Sequence, residues 1–224
     1  MNMATYAVAD IHGNGILWDK IKNFLKPDDK CYILGDLIDR GLSGYRMAKE
    51  ALEDERFIYL LGDHEEMFVN AACFYPQWDT DNFFVYISNG GAHTWEQWEM
   101  NGADKEFVKK IRYLPRTAEY KSKDGYIFLL SHSGWDFNES LTPPKDTLWD
   151  REHFKTETKS FVPSEYIMIH GHTPIQYLSS WDKYEIGALF YDDGLKIDID
   201  MGTEITKSVC LFNMDTFEEV IIHE

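Results

Sequence analysis

Six side chains able to ligate a metal stand in short polar segments that each follow an apolar run: Asp10 and His12, Asp36, Asp63, His132 and His172. Asp10 and His12 lie two positions apart, so an extended strand end turns both to one side, where they can share a cation. A single Asp-x-His pair is weak evidence, because such residues cap loops in many proteins. The company is what matters: Asp36 in Gly35-Asp36, Asp63 in Gly62-Asp63-His64-Glu65, His132 in Ser131-His132-Ser133-Gly134 and His172 in Gly171-His172-Thr173-Pro174 each place an Asp or His near a Gly. Mixed carboxylate and imidazole donors suit Mn, Fe or Zn better than Ca or Mg alone. Six ligands are too many for one catalytic ion with an open position, so the count points to two ions. Such a pair, about 3.5 to 4 Å apart and bridged by one carboxylate, would generate hydroxide near neutral pH and clamp an in-line displacement at phosphorus.

Strands and helices must bring these segments together. Residues 5–9 form a β-rich run, followed by a polar loop and by Ile16, Ile21, Phe24 and Leu25 at roughly helical spacing until Pro27. The pattern repeats from 31–34 through Gly35-Asp36-Leu37-Ile38-Asp39-Arg40-Gly41 to a helix ending near 55, and again from 57–61 to a helix ending near 74. Three strand-loop-helix units predict a largely parallel α/β sheet, whose ligands gather at the carboxyl ends of its strands. Residues 74–118 break the rhythm with Phe74, Tyr75, Trp78, Phe83, Phe84, Tyr86, Trp95 and Trp98. Aromatics at helical spacing predict a packed helical insertion, which would border a groove if it lay beside the polar loops. Strands are expected at 126–131, 166–170, 195–200, 208–212 and 219–222, the final ones as hairpin partners in a second sheet packed on the first. With no internal repeat or low-complexity linker, residues 1–224 read as a single domain.

The 224 residues carry 22 Lys plus Arg against 39 Asp plus Glu, for a formal charge of -17, with 44% hydrophobic residues. A chain of this length buries a core without disulfides, and the dispersed acidity repels polyanions, which excludes a nucleic-acid polymer or an acidic membrane as partner. The opening segment lacks the basic and apolar regions of a secretory leader, and no stretch reaches about 18 uninterrupted apolar residues. Cys31, Cys73 and Cys210 form no C-x-x-C pair, which fits reduced thiols and a cytoplasmic location; Cys31 and Cys210 read as core.

Taken in order, Asp10-x-His12, Gly35-Asp36-x-x-Asp39-Arg40-Gly41, Gly62-Asp63-His64-Glu65, His132 and Gly171-His172 resemble the calcineurin-like metallophosphoesterases over about residues 5–203. The Gly-Asp-x-x-Asp-Arg-Gly form is similar to the phosphoprotein phosphatase branch, which includes bacterial and phage serine/threonine phosphatases and the symmetrical diadenosine tetraphosphate hydrolases. The resemblance implies a four-layer α/β/β/α sandwich of two mixed sheets flanked by helices. It implies two divalent ions, with Mn expected first and Fe or Zn also accepted: Asp10, His12 and Asp36 for one, and Asp36, Asp63, His132 and His172 for the other, with Asp36 as bridge. It further implies His64 as the general acid that protonates the departing alkoxide, Asp39 as the carboxylate that orients that imidazole, and Arg40 as a phosphate-binding residue. Arg151, in Leu148-Trp149-Asp150-Arg151, resembles a second such arginine, whose fork would hold two phosphate oxygens. The segment Asp198-Ile199-Asp200-Met201-Gly202 resembles the family's strand end bordering the site and is expected to act structurally, as are His170 and His93.

One residue departs from the family pattern. Asp63 stands where the family has Asn. An Asn offers its carbonyl to the metal and its amide to phosphate, whereas an ionised Asp only accepts. With Asp63 counted, the carboxylates and a hydroxide neutralise two divalent ions, so a phosphate dianion would meet a neutral centre. The expectation is tight metal binding with reduced turnover. The substrate is expected to be a phosphorylated protein or a small phosphoester, in the manner of a serine/threonine phosphatase. Dinucleoside polyphosphate or nucleotide hydrolysis is one alternative, and a catalytically weak protein that binds phosphorylated ligands is another.

Overall fold

The computed structural model describes residues 3–77, 80–134, 147–155, 162–178 and 186–224. Three strand-loop-helix units come first: β1 (Thr5–Val8), α1 (Gly15–Phe24), β2 (Lys30–Ile33), α2 (Gly44–Glu53), β3 (Phe57–Tyr59) and α3 (Asp63–Ala72). Helix α1 starts at Asn14, whose Oδ1 accepts from the backbone N–H groups of Ile16 and Leu17, and it buries Leu17, Trp18 and Ile21. The insertion holds α4 (Thr80–Tyr86), a π-helical turn at Ile87–Gly91, α5 (Ala92–Met100) and α6 (Lys105–Arg112). Then come β4 (Thr117–Lys121), β5 (Ile127–Ser131), β6 (Tyr166–His170), β7 (Leu189–Tyr191), β8 (Lys196–Asp198), α7 (Thr203–Thr206), β9 (Ser208–Asn213) and β10 (Glu219–His223).

The strands build two mixed five-stranded sheets, ordered β10-β9-β1-β2-β3 and β4-β5-β6-β8-β7. In the first, β1, β2 and β3 run parallel and β9 pairs antiparallel with both β1 and β10. In the second, β5, β6 and β8 are parallel, with antiparallel edges β4 and β7. Period-two alternation sorts the side chains. Ala7, Ala9, Leu34, Phe128, Leu130, Ile167, Ile169, Ile197 and Phe212 fill the space between the sheets. Tyr6, Val8 and Ile33 turn outward into a second core with Leu17, Trp18, Ile21, Phe68, Trp95 and Trp98 of the helices. Among the described residues the outer face of the second sheet is covered by Val162, packed on Leu129 and Met168, and by the 3-10 turn Glu152–Lys155, where Phe154 stacks on Tyr191 at 5.1 Å and the buried Lys196 ammonium donates to the His153 carbonyl at 3.0 Å. The expected α/β/β/α order is therefore observed, with a thin fourth layer among the described residues.

Three details differ from expectation. The closing hairpin β9–β10 extends the first sheet, because β9 finds its register beside Tyr6 and Ala7 of β1. Strand β4 occupies the end of the stretch read as helical insertion. Its Thr117–Lys121 side chains are only half buried at a sheet edge, so no apolar alternation marks it. Strand β7, three residues at the opposite edge, is silent for the same reason. Within the insertion, Tyr86, Trp95 and Trp98 are buried core; Trp78 lies outside the described residues. Cys31 and Cys210 are buried and Cys73 is exposed. Among the described residues no helix is long and apolar enough to cross a membrane.

Candidate metal centre

All six sequence-selected ligands converge where β1, β2, β3, β5 and β6 end. Four of them stand in loops that the backbone holds in an uncommon conformation: Asp10 (φ 52°), His12 (48°), Asp36 (51°) and His172 (72°) are left-handed, as are Asp39 (68°) and Arg40 (59°), whereas Asp63 opens helix α3. Such angles cost a non-glycine residue about 1–2 kcal/mol each and persist only where surrounding contacts enforce them. Here the loops bind one another. The His12 and Gly13 amides donate to the Asp36 and Leu37 carbonyls at 3.0 and 2.8 Å, Gly41 donates to His12 at 3.0 Å, and Gly171 donates to His132 at 2.8 Å. Glycine is required at the closest crossings. A Cβ on Gly35 (φ 86°) would stand 2.7 Å from the His132 Nδ1, and one on Gly171 would strike the Asp10 carboxylate.

Glu65, fully buried at the start of α3, completes this scaffold. Its carboxylate accepts from the amides of Asp36 (2.8 Å), Leu37 (3.0 Å), Ile38 (3.3 Å) and Gly62 (3.0 Å) and from the Tyr59 hydroxyl (2.6 Å). One residue thus fixes the second loop against the third, a role not assigned to it from sequence although it stands in the quoted Gly62-Asp63-His64-Glu65 motif.

Ligand atoms group in overlapping sets. Asp63, His132 and His172 offer atoms all within 4.8 Å of one another, as do Asp10, Asp36 and His132, and also His12, Asp36 and His64. The Asp36 oxygens face different sides: Oδ1 lies 3.4 Å from His132 Nε2, and Oδ2 lies 3.6 Å from His12 Nε2. Asp10 Oδ2 accepts from the His172 amide at 2.9 Å, while Oδ1 lies 3.9 Å from His12 Nε2. All six side chains are brought together around Asp36, though the groups differ from the expected pairing: His132 groups with Asp10 and Asp36 as well as with Asp63 and His172, and His64 joins His12 and Asp36. The donors fit divalent transition ions, being nitrogen and carboxylate oxygen in a pocket where every ligand is at most 6% exposed.

The electrostatics of the ligand-free protein point the same way. Burial, followed by the Asp200 charge, pushes the Asp10 carboxyl well above the carboxylate range, and burial, followed by the Asp63 charge, does the same to Asp36. Burial also works to raise Asp63, but hydrogen bonds from His132 (3.0 Å) and His172 (3.5 Å) outweigh it and hold that carboxyl well below its ordinary value. Burial lowers His12 and brings His172 down to about 4. On His132 burial acts downward too, yet Asp63 and Asp10 raise it to about 9. A proton on His132 thus supplies the positive charge that the clustered carboxylates require.

Next to the cluster stands a second constellation. His64 Nδ1 donates to Asp39 Oδ2 at 2.9 Å, and Arg40 Nη2 donates to His64 Nε2 at 3.1 Å, an arrangement that places the imidazole hydrogen on Nδ1. The insertion holds this group. The Tyr86 hydroxyl donates to Asp39 Oδ1 at 2.6 Å, the Asp39 amide donates to Thr94 Oγ1 at 3.1 Å, and the Arg40 amide donates to the Gly90 carbonyl at 2.9 Å. Sequence reading missed Tyr86, Thr94 and Gly90 as contributors, because nothing in their local pattern marks a contact with residues about fifty positions earlier.

A cavity of about 1140 Å³ opens beside His12 and His172, and both Arg40 and Arg151 line it. Arg151 Nε donates to Thr173 Oγ1 at 3.1 Å, directly after His172. Ser88, Asn89 and Gly90 of the insertion line the cavity, so this segment is core on one face and groove wall on the other. Asp200 also lines it and is pushed up to about 6 by burial. The turn that follows fastens to the first loop through the Thr203 hydroxyl, which donates to the Asp10 carbonyl at 2.7 Å. His170 is buried and bonded to the Tyr191 hydroxyl and the Gly171 carbonyl, and His93 is exposed on α5; neither joins the cluster.

The model of the family described as calcineurin-like phosphoesterase matches residues 3–199. Among solved structures, a protein provisionally assigned as a diadenosine tetraphosphatase superposes with a TM-score of 0.66 at 13% identity, covering 98% of this chain and 93% of that one. A metallophosphoesterase from Sphaerobacter thermophilus gives 0.58 at 14% identity, covering 99% and 87%. The cold-active protein-tyrosine phosphatase of a psychrophilic Shewanella gives 0.53 at 14% identity, covering 98% and 78%. At these identities the likeness shows a shared fold. No curated protein matches the chain.

Proposed function

The chain belongs to the calcineurin-like phosphoesterase family, and from that premise we propose that this hydrolase is a metal-dependent phosphomonoesterase of the serine/threonine phosphatase kind. The observation that carries the reading is His64, held through Nδ1 by Asp39 with Nε2 directed at Arg40 and the ligand cluster. An alcohol leaving as alkoxide needs a proton, and this imidazole is placed to give one. Asp10, His12 and Asp36 would hold one ion, and Asp36, Asp63, His132 and His172 the other. When bound, two divalent ions supply positive charge to the phosphoryl oxygens and acidify water. Arg40 and Arg151, which both line the cavity, would grip the remaining phosphate oxygens with their forks. When Arg40 turns from His64 to the phosphate oxygens, Nε2 is released to take a proton from water, and as the ester bond breaks that proton passes from Nε2 to the departing oxygen while Asp39 keeps the Nδ1 hydrogen in line. Tyr86 and Thr94 keep Asp39 from turning away.

A second reading is dinucleoside polyphosphate hydrolysis. It is favoured by the apolar wall of the same cavity, where Phe154, Tyr177, Leu178 and Tyr191 offer faces to a base. Assaying p-nitrophenyl phosphate, a phosphoserine peptide and diadenosine tetraphosphate side by side with Mn separates the two. Preference for the peptide supports the first reading, preference for the dinucleotide overturns it in favour of the second, and hydrolysis of none overturns both.

Two expected outcomes test the electrostatics. Because His132 must surrender its proton to bind a metal, apparent Mn affinity rises with pH until about 9 and levels off above it. Calorimetric titrations at pH 7, 8 and 9 are expected to show gains of up to about tenfold per unit, one proton being displaced per ion bound there; a flat profile would contradict this. Replacing Asp63 by Asn removes one negative charge from the centre and restores an amide donor to phosphate. Turnover of p-nitrophenyl phosphate at saturating Mn is expected to rise roughly tenfold, the equivalent of about 1.4 kcal/mol, while Mn binds more weakly. No gain in turnover would show that Asp63 does not limit the reaction.

A further inference from the structure

Arg40, one of the two guanidinium groups facing the cavity, is engaged before any substrate arrives. Its Nη1 donates to Glu204 Oε2 at 3.2 Å while its Nη2 is given to His64 Nε2 at 3.1 Å. Glu204 sits in the first turn of α7, and the neighbouring Thr203 pins that turn to the Asp10 loop, so the carboxylate is carried on a fixed part of the centre. The side chains of Arg40 and Glu204 are 33% and 56% exposed, which makes this a weak, displaceable pair. It also has a special location. The cavity of about 1140 Å³ and a neighbouring one of about 480 Å³, lined by Asn14, Asp19, Arg46 and Lys207, meet at a shared wall made of His12, Arg40, Thr203 and Glu204. The Arg40–Glu204 bridge lies across that junction.

We propose that Glu204 is a built-in competitor of phosphate for Arg40, a tethered carboxylate that substrate displaces on entry and that reclaims the guanidinium when phosphate product leaves. The inference rests on the phosphoesterase reading of the site and adds to it a residue that tunes occupancy without touching the reacting atoms. A carboxylate and a phosphate oxygen present the same acceptor geometry to a guanidinium fork, so only one can hold a given edge of Arg40 at a time. The tether gives the carboxylate a high local concentration, and its single charge keeps it weaker than a phosphate dianion. Because Glu204 competes for the same edge of Arg40, it lowers the net affinity for substrate and product alike.

The test is Glu204→Gln, which keeps size and removes charge. Inorganic phosphate binding by calorimetry on the Mn-loaded protein, with KM and kcat for p-nitrophenyl phosphate, should show Kd for phosphate and KM each falling about two- to fivefold, with kcat unchanged or lower because product leaves more slowly. Glu224→Gln removes the same charge from the wall of the smaller cavity, where Glu224 bonds Asn14 and makes no contact with Arg40; it should leave both constants unaltered. In an Arg40→Ala background the Glu204→Gln effect should vanish, since the coupling runs through that guanidinium. Equal constants for wild type and Glu204→Gln, an equal shift from Glu224→Gln, or a shift that survives Arg40→Ala would each overturn the inference while leaving the phosphoesterase reading intact. Absence of both phosphate binding and hydrolysis in the wild type would overturn the two together.

Discussion

Replacing Asp36 by Asn is expected to abolish binding of the metal pair and to cut phosphoester hydrolysis by about 10³-fold or more, several kcal/mol of charge stabilisation being lost with the ions. Asp36 is the one carboxylate whose two oxygens face different ligand groups, so its charge serves both at once. An Asn in its place keeps the volume and the oxygen that accepts the His64 amide at 3.1 Å, which preserves the loop. The accompanying stability change has the opposite sign. Burial, followed by the Asp63 and Glu65 charges, raises the Asp36 carboxyl in the folded protein, and a carboxyl raised above its unfolded value costs stability at neutral pH. Metal-free Asp36→Asn should therefore unfold at a higher temperature than metal-free wild type, while added Mn, which raises the wild-type midpoint, should leave the variant's nearly unmoved. A variant that is inactive and also less stable without metal would point to a damaged loop instead of a lost ligand.

Replacing His64 by Asn is expected to lower kcat for a phosphoserine peptide by about 10²- to 10⁴-fold, the usual worth of a positioned general acid. The same change should cost p-nitrophenyl phosphate far less, because nitrophenolate leaves without needing a proton. Manganese content should stay at the wild-type level, since the expected ligand sets do not include His64. The alternative has its own signature. If His64 acts as a ligand, as its place beside His12 and Asp36 would permit, metal content falls and both substrates lose equally. Comparing the two rate losses at saturating Mn therefore separates proton donor from ligand in one experiment.

The legible part of this protein was its chemistry, and the reason is architectural. Parallel strands deliver their polar loops to one edge, so Asp10, Asp36, Asp63, His132 and His172 could be read as neighbours from their positions after apolar runs. Continuous apolar runs, buried on both faces, marked β1, β5 and β6 for the same reason. The edge strands β4 and β7, with half their surface in water, carry no such mark. The support of Asp39 was equally hidden, because Tyr86 and Thr94 approach it from a helical layer whose aromatic pattern describes only its own core. The left-handed backbone at Asp10, His12, Asp36 and His172 follows from how the loops cross, and the neighbouring glycines Gly13, Gly35 and Gly171 were its trace in the sequence. The closing hairpin joined the first sheet because pairing beside β1 is settled by the tertiary fold; hairpin composition says nothing about which sheet accepts it.

The central claim is that two divalent ions held by these six side chains make the protein a phosphoesterase. It is tested most directly by stripping the protein with a chelator and titrating Mn back while following p-nitrophenyl phosphate hydrolysis. The account predicts that activity disappears with the metal and returns to a plateau at two Mn per chain in the wild type, with no recovery in Asp36→Asn. Hydrolysis that persists in the chelated protein, or that saturates at a single ion, would contradict it.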